Sequence, residues 1–297
     1  MRRKVRTKYL LFILIMILFP VLLFSQKNLE TAKMKFENEK YVEAIEILEK
    51  LIQTNEDNWE YYHWLGISYL ENTKLPGTGM IKAMKIFKKA KKNLIKAVEL
   101  NSEDIVAHEQ LAYSYYYPPK IAGGNKKKAL EHLEEIKKRD SKKGLEISIE
   151  FFLFDKEYEK AEQKCKMFIN LYPDDPDVYH HLGMIYQQKE DFQKAFDEFE
   201  KIIKKDSTAL NSLYQIGRTT IFSGQNLDRG VECMKSFLQS ESNENNPPID
   251  AAHWRLGMIY EKQGKLDLAE AEFKEAIKLN PDDKDYKKSL KKLRKKL

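Results

Sequence analysis

His180-His-Leu-Gly-Met-Ile-Tyr186 recurs with little change as His63-Trp-Leu-Gly-Ile-Ser-Tyr69 and as Arg255-Leu-Gly-Met-Ile-Tyr260. Each copy is followed, after a turn, by a second helical pattern built round a small residue and an apolar one. Internal repetition with a period near 34 residues means helix pairs stacked in an array, because one such pair cannot bury its apolar face alone. An array displays an extended surface and does not by itself build an active site.

Two antiparallel helices pack closely only where small residues stand at their crossing, with large apolar residues around them. The chain meets this condition repeatedly. First-helix small positions are Ala32, Gly66, Ala112, Gly183, Gly217 and Gly257, with Ile149 standing in the fourth copy. Second-helix small positions are Ala44, Ala90, Ala129, Ala161, Ala195, Gly230 and Ala269. Four residues beyond each comes a larger side chain: Leu48, Leu94, Leu133, Cys165, Phe199, Met234 and Phe273. Leu65, Leu111, Leu182, Ile216 and Leu256 precede the first small residue as core anchors.

On these residues the chain resembles tetratricopeptide repeat (TPR) proteins of the exported bacterial kind. His253, Leu256, Gly257, Tyr260, Gly264, Ala269, Phe273, Ala276 and Pro281 fall on that family's pattern, with Trp254 one place later than its tryptophan. Asn101-Ser102 and Asp206-Ser207 replace the helix-ending proline, a small loss where a junction need only stop one helix and cap the next. The resemblance implies an all-α fold: a right-handed TPR α-solenoid of about seven helix pairs plus a C-terminal capping helix. The expected repeats are 26–58, 59–104, 105–141, 142–175, 176–209, 210–249 and 250–283, closed by a basic helix over 284–297 with Tyr286, Leu290, Leu293 and Leu297 on one side.

The second repeat carries about a dozen extra residues round Leu75-Pro-Gly-Thr-Gly79, and the third about five at Pro118-Pro-Lys-Ile-Ala-Gly-Gly124. A polar loop, Glu241 to Pro248, precedes the seventh. Residues 1–25 stand apart. Arg2, Arg3, Lys4, Arg6 and Lys8 precede a continuous apolar run from Leu10 to Phe24, and Ser25 offers a cleavage point. This reads as a secretory signal peptide, with a periplasmic destination expected. The alternative is an anchor at 10–24 with the array outside the cytoplasm, although the run is shorter than the ~20 residues of a spanning helix. The formal charge of +6 falls to +1 without the five leading cations; the tail from Lys284 contributes +7, so the body is acidic and gives no case for nucleic-acid binding.

Chemistry-bearing motifs are absent. Gly123-Gly-Asn-Lys-Lys-Lys128 lacks the spacing and the strand of a phosphate loop. The adjacent His180 and His181 diverge by about 100° on a helix, and no other histidine has a convergent partner on its own helix, so neither metal nor cofactor is expected. No Gly-x-Ser-x-Gly elbow occurs. Cys165 and Cys233 sit on apolar faces three helices apart, beyond the ~7 Å reach of a disulfide. Pro173-Asp-Asp-Pro-Asp177 reads as a junction whose acids cap the next helix. An enzyme is therefore not expected.

The TPR resemblance implies that a ligand lies along the inner face of the first helices. By alignment that face holds His63, Ile67, Glu109, Tyr113, Tyr116, Tyr117, Glu150, Phe154, His180, Met184, Gln187, Tyr214, Arg218, Trp254 and Met258, and the candidate groove residues are these without Ile67, Glu109, Glu150 and Gln187. Aromatic rings with an arginine are the residues on which binding energy concentrates. The tyrosines at 113–117, beside the second insertion, form the single best locus. The lysine–asparagine clamp of chaperone-binding TPRs is missing. The expected function is a non-enzymatic scaffold holding a protein or peptide partner; the alternative is a periplasmic solute-binding or transporter-accessory protein. The lysine-rich helices 80–100 and 284–297 are the expected points of peripheral membrane contact, unless they are simply solvated outer faces.

Overall fold

The computed structural model describes residues 25–296 apart from 242, 244 and 245, so the expected leader lies outside the described residues but for Ser25. Among the described residues the fold is all-helical and strand-free, in pairs closed by a single helix. These are α1 (25–37) with α2 (Tyr41–Thr54), α3 (Trp59–Asn72) with α4 (Met80–Leu100), and α5 (Ile105–Tyr116) with α6 (Lys126–Arg139). There follow α7 (Ser141–Phe154) with α8 (Tyr158–Leu171), α9 (Pro176–Gln188) with α10 (Phe192–Lys205), α11 (Leu210–Ser223) with α12 (Leu227–Gln239), and α13 (Ile249–Lys262) with α14 (Leu266–Leu279). Helix α15 (Lys284–Leu293) closes the chain. The helices form two compact units, one ending at Gly144 and the other beginning at Leu145, inside α7.

The crossing condition read from the sequence is met atom by atom. A Cβ on Gly66 would lie 2.7 Å from Leu94 Cγ, one on Gly183 would lie 2.5 Å from the Phe199 ring, and one on Gly257 would lie 2.7 Å from the Phe273 ring. Leu94, Phe199 and Phe273 are fully buried. The first helix thus gives up its side chain so that the large residue of the second can enter. The fourth pair reverses the sizes: Ile149 stands where the others have glycine or alanine, and Cys165 where they have leucine, phenylalanine or methionine. Both are fully buried in one cluster, so volume is kept while its donor changes.

The turns inside the pairs are equally uniform. Glu39, Lys156, Glu190 and Gly264 each take the left-handed conformation (φ +58°, +60°, +60° and +75°). The next amide donates to the carbonyl five residues back: Lys40 to Lys35, Glu157 to Phe152, Asp191 to Tyr186 and Lys265 to Tyr260. That six-residue closure is a Schellman-type stop. At the junctions, Asn101 and Asp206 end α4 and α10, and their side chains accept from the amides of Glu103 and Thr208. Asp175 caps α9, accepting from the Asp177 amide at 2.9 Å, with Pro176 in the first helical turn.

The first insertion is spent mostly on helix. Helix α4 has 21 residues where α6, α8, α10 and α14 have 14, about two extra turns. The second insertion is a short 3-10 turn over Lys120–Ala122, ended by Gly123 at φ +88°. Cys165 and Cys233 are free and buried, and burial pushes both thiols up to about 12.

One polar cluster in the first unit escaped the sequence, because its members come from different helices. His108 Nε2–H donates to the Ser102 carbonyl at 3.1 Å, which leaves Nδ1 to accept from His132 Nδ1–H at 2.9 Å. The Tyr115 ring stacks on His132, and the Lys91 ammonium sits 3.4 Å from the centre of that ring. Burial, then the charges of His108 and Lys128, push His132 down to about 4; burial also lowers His108. Lys91 and Arg139 add to the resistance against protonation, while Asp104 and Glu135 oppose it.

Two predictions follow from this packing. Gly257→Ala, which drives a methyl against the Phe273 ring and the Ala269 carbonyl, should cost about 1–3 kcal/mol in urea unfolding. Gly217→Ala should cost less, because the flexible Met234 side chain, whose Cε and Cγ (at 2.8 Å) the methyl would both meet, can give way where a ring and a carbonyl cannot, and alanine gains about 1 kcal/mol of helix propensity. Equal losses at the two sites would refute the crossing as described. The second concerns pH. The folded His132 binds its proton at about 4, against about 6.5 unfolded, so its contribution is whole above pH 6.5 and drains as pH falls toward 4. Allowing for its partial exposure, the loss is about 2 kcal/mol by pH 4. Calorimetry should show the melting temperature dropping across that window, and a smaller drop in His108→Leu/His132→Phe; an unchanged drop would contradict the assignment.

Candidate functional site

In the second unit α9, α11 and α13 are first helices of successive pairs, and α11 lies against α13. Their shared face is knit by side chains that sit one turn from the glycine crossings. Gln187, buried in the last turn of α9, donates from Nε2 to Thr219 Oγ1 at 2.6 Å and to the Gln215 carbonyl at 3.2 Å. Arg218 Nη1 donates to Gln215 Oε1 at 3.1 Å. From α13, Arg255 Nε donates to the Tyr214 hydroxyl at 2.6 Å, with its guanidinium 5.0 Å from the centre of the Tyr214 ring. Next to it Trp254 Nε1 donates to Ser289 Oγ at 2.9 Å on α15, and its ring lies 5.3 Å from that of Tyr286.

The electrostatics of this row are unlike those of other arginines in the chain. Arg229 grips Glu200 with two hydrogen bonds, at 2.7 and 3.0 Å, and Arg139 and Arg294 each meet a glutamate. Among the described residues neither Arg218 nor Arg255 meets a carboxylate; their partners are Gln215 and Tyr214. Burial, and then the charge of Arg255, press the Arg218 guanidinium below its ordinary value. Two buried polar atoms here, Arg218 Nε and Gln187 Oε1, have no partner. A buried donor left in this condition costs about 1–3 kcal/mol unless a ligand or water meets it. The row can therefore receive an anion at the half-buried arginines, beside the half-buried apolar surface of Met184, Trp254 and Met258.

The structure divides the sequence-predicted residues between the two units. Tyr214, Arg218, Trp254, Met184 and Met258 lie on the three first helices and their shared core. His180, also on α9, packs edge-on against Phe199 and lines a cleft of about 590 Å³ with Asp174, Asp177, Lys205, Asp206 and Ser212. Phe154 is exposed at the end of α7. In the first unit, His63 Nδ1 is bound at 2.6 Å to Asp104, which also caps α5 by accepting from the Ala107 amide. Tyr113 and Tyr117 stack on each other at 5.6 Å, whereas Tyr116 is buried with the Lys126 ammonium 4.8 Å from its ring centre. His63 thus ties α3 to the start of α5, and Tyr116 of α5 packs under the first residue of α6. Arg255 was missed by the sequence reading; the signal was an arginine at the place where the other two copies of the motif carry Trp64 and His181.

Comparison with known proteins places this geometry. Models of the tetratricopeptide repeat match residues 250–283 and 176–207, so the chain carries TPRs in its second unit. The anaphase-promoting complex subunit CDC16 of Saccharomyces cerevisiae is 29% identical over 133 residues, which is 41% of this chain and 15% of that protein. The chain spans 13–15% of the length of the curated relatives it matches. A tetratricopeptide repeat protein from Parabacteroides merdae superposes with a TM-score of 0.64 at 14% identity, covering 91% of this chain and 98% of its own. Human IFIT1, as a dimer with PPP-AAAA, gives 0.59 at 18% identity over 86% of this chain and 59% of its own. These structural likenesses establish the all-helical TPR fold.

Proposed function

We propose that the chain is an exported, non-catalytic docking scaffold. Its second unit holds an extended polypeptide across α9, α11 and α13, and a carboxylate of that partner is received between Arg218 and Arg255. One observation carries the reading: two half-buried guanidinium groups share a face with no acid to neutralise either. Holding like charges together costs energy that an incoming carboxylate returns, and charge-assisted bonds of this kind contribute about 1.5–3 kcal/mol each. Trp254, Met184 and Met258 supply apolar area alongside. The name of CDC16, a subunit of a complex, is consistent with this kind of role. Export rests on the basic-then-apolar pattern of residues 1–25.

Selection from a displayed peptide library should enrich sequences containing Asp or Glu. Arg218→Gln/Arg255→Gln should weaken the enriched peptides by at least about tenfold, corresponding to one lost charge-assisted bond. The same variant should keep the helical circular dichroism and cooperative melting of the parent, since the repulsion it removes offsets the lost Arg255–Tyr214 bond. Enrichment without acidic residues, or full binding by the folded double variant, would contradict the proposal. An oligonucleotide bearing a 5′-triphosphate is the control: if it displaces the peptides and needs both arginines, phosphate is the ligand instead.

A further inference from the structure

The edge of the first unit formed by the two insertions presents a second, unrelated surface. The extra turns of α4 carry Met80, Ile81 and Met84 past α3, and these side chains are 81%, 74% and 49% exposed. The 3-10 turn after α5 holds Ile121, which is 98% exposed. Met84 and Phe87 share a cleft of about 270 Å³ with Pro118 and Ala122, so the tip of α4 and the 3-10 turn form one apolar edge. Scattered apolar residues are ordinary on a protein surface, but several large ones gathered at one edge mark a place of contact.

The charge beside them is equally unusual. From Asn72 to Val98 there is no Asp or Glu, while Lys74, Lys82, Lys85, Lys88, Lys89, Lys91, Lys92 and Lys96 fall within that stretch. Gln110 to Leu130 is likewise free of acids and holds Lys120, Lys126, Lys127 and Lys128. Other second helices carry acids that pair several of their lysines: Lys138 with Glu135, Lys166 with Glu162, Lys194 with Asp191 and Lys278 with Glu275. Among the described residues Lys82, Lys85, Lys88 and Lys92 are exposed and meet no carboxylate. The basic helix α15 also has exposed lysines, but none of its large apolar side chains is exposed beside them. Its Tyr286 and Leu293 are buried, and the cations that follow it, Arg294 and Lys296, are bound to Glu270 and Glu261.

We infer that this edge docks on an anionic phospholipid bilayer. Met80, Ile81, Met84 and Ile121 enter the acyl boundary, and Lys82, Lys85, Lys88 and Lys120 lie among the headgroup phosphates. An acidic protein is the weaker fit. Fixed carboxylates are best met by the planar fork of arginine, yet every cation from Asn72 to Leu130 is lysine. Flexible lysines around protruding apolar side chains need no shaped counterpart, which is what a fluid surface offers. Among the described residues no helix is long and apolar enough to cross a membrane, so the contact is peripheral. This inference is independent of the peptide reading of the second unit.

The test places a reporter at the edge. Ile121→Cys in the full chain is labelled with an environment-sensitive fluorophore; Cys165 and Cys233 are buried and compete little. Vesicles of phosphatidylglycerol with phosphatidylcholine should shift its emission to the blue, while phosphatidylcholine alone should not. A label at Glu159→Cys in the second unit should stay unshifted. Lys82→Gln/Lys85→Gln/Lys88→Gln should weaken vesicle binding roughly a hundredfold, about fivefold per lysine, and leave peptide binding at Arg218 and Arg255 unchanged. Residues 1–24 are common to all variants, so their own affinity for lipid cancels. No shift at residue 121 on anionic vesicles, or an equal shift on neutral ones, would overturn the inference. A shift with polyglutamate but not with vesicles would assign the edge to an acidic protein.

Discussion

The structure depends on one steric exchange repeated along the chain: a first helix gives up its side chain where a second helix inserts a large one. Gly66 with Leu94, Gly183 with Phe199 and Gly257 with Phe273 leave no room for even a methyl group. This fixes the depth and register of each crossing, because a sliding helix would drive the ring into backbone. It also decides what lies outside. With one face of every first helix committed to its partner, another is left to meet the neighbouring first helix and solvent, and there the second unit keeps Gln187, Arg218 and Arg255.

Polar groups on that face are satisfied sideways, by residues of the next pair. Gln187 reaches Thr219, Arg255 reaches Tyr214 and Trp254 reaches Ser289. The same bonds that hold successive pairs in line therefore hold the candidate binding residues in place, a rigid mounting that lowers the entropy cost of engaging a partner. Arg218 Nε and Gln187 Oε1 are exceptions to full satisfaction, and the two arginines are chemically informative because neither meets a carboxylate among the described residues. The other described arginines each meet a glutamate, as Arg229 meets Glu200. In the first unit the exception is α4, whose exposed lysines lie beside apolar side chains that no described residue covers.

The fold was legible because its determinants are local and periodic. The glycines and alanines at the crossings, and the rings four residues beyond the second, could be read off the chain before any coordinate was known. So could the helix stops at Asn101 and Asp206 and the cap at Asp175. The site was legible only in part. Arg218, Tyr214 and Trp254 could be placed on the right face by alignment, but whether an arginine has a counter-charge depends on side chains some forty residues away, as Arg255 and Tyr214 show. The same is true of His108 and His132, which meet across two helices, and of Tyr116, which looks like a binding residue in sequence and is buried in the fold. The fourth pair shows the opposite case. Ile149 reads as a departure from the pattern until Cys165 is seen to have shrunk in return.

That last pair supplies the sharpest test of the steric exchange. In the fifth pair, Gly183→Ile should destabilise by about 2 kcal/mol or more, from overpacking against Phe199, and Phe199→Cys should cost a similar amount or more by opening a cavity. The double variant reproduces the Ile149–Cys165 arrangement, and equilibrium unfolding should show it recovering most of both losses, with a coupling of about 2 kcal/mol. Additive losses in the double variant would mean that the two residues do not share a crossing, and the register on which the exposed faces depend would be wrong.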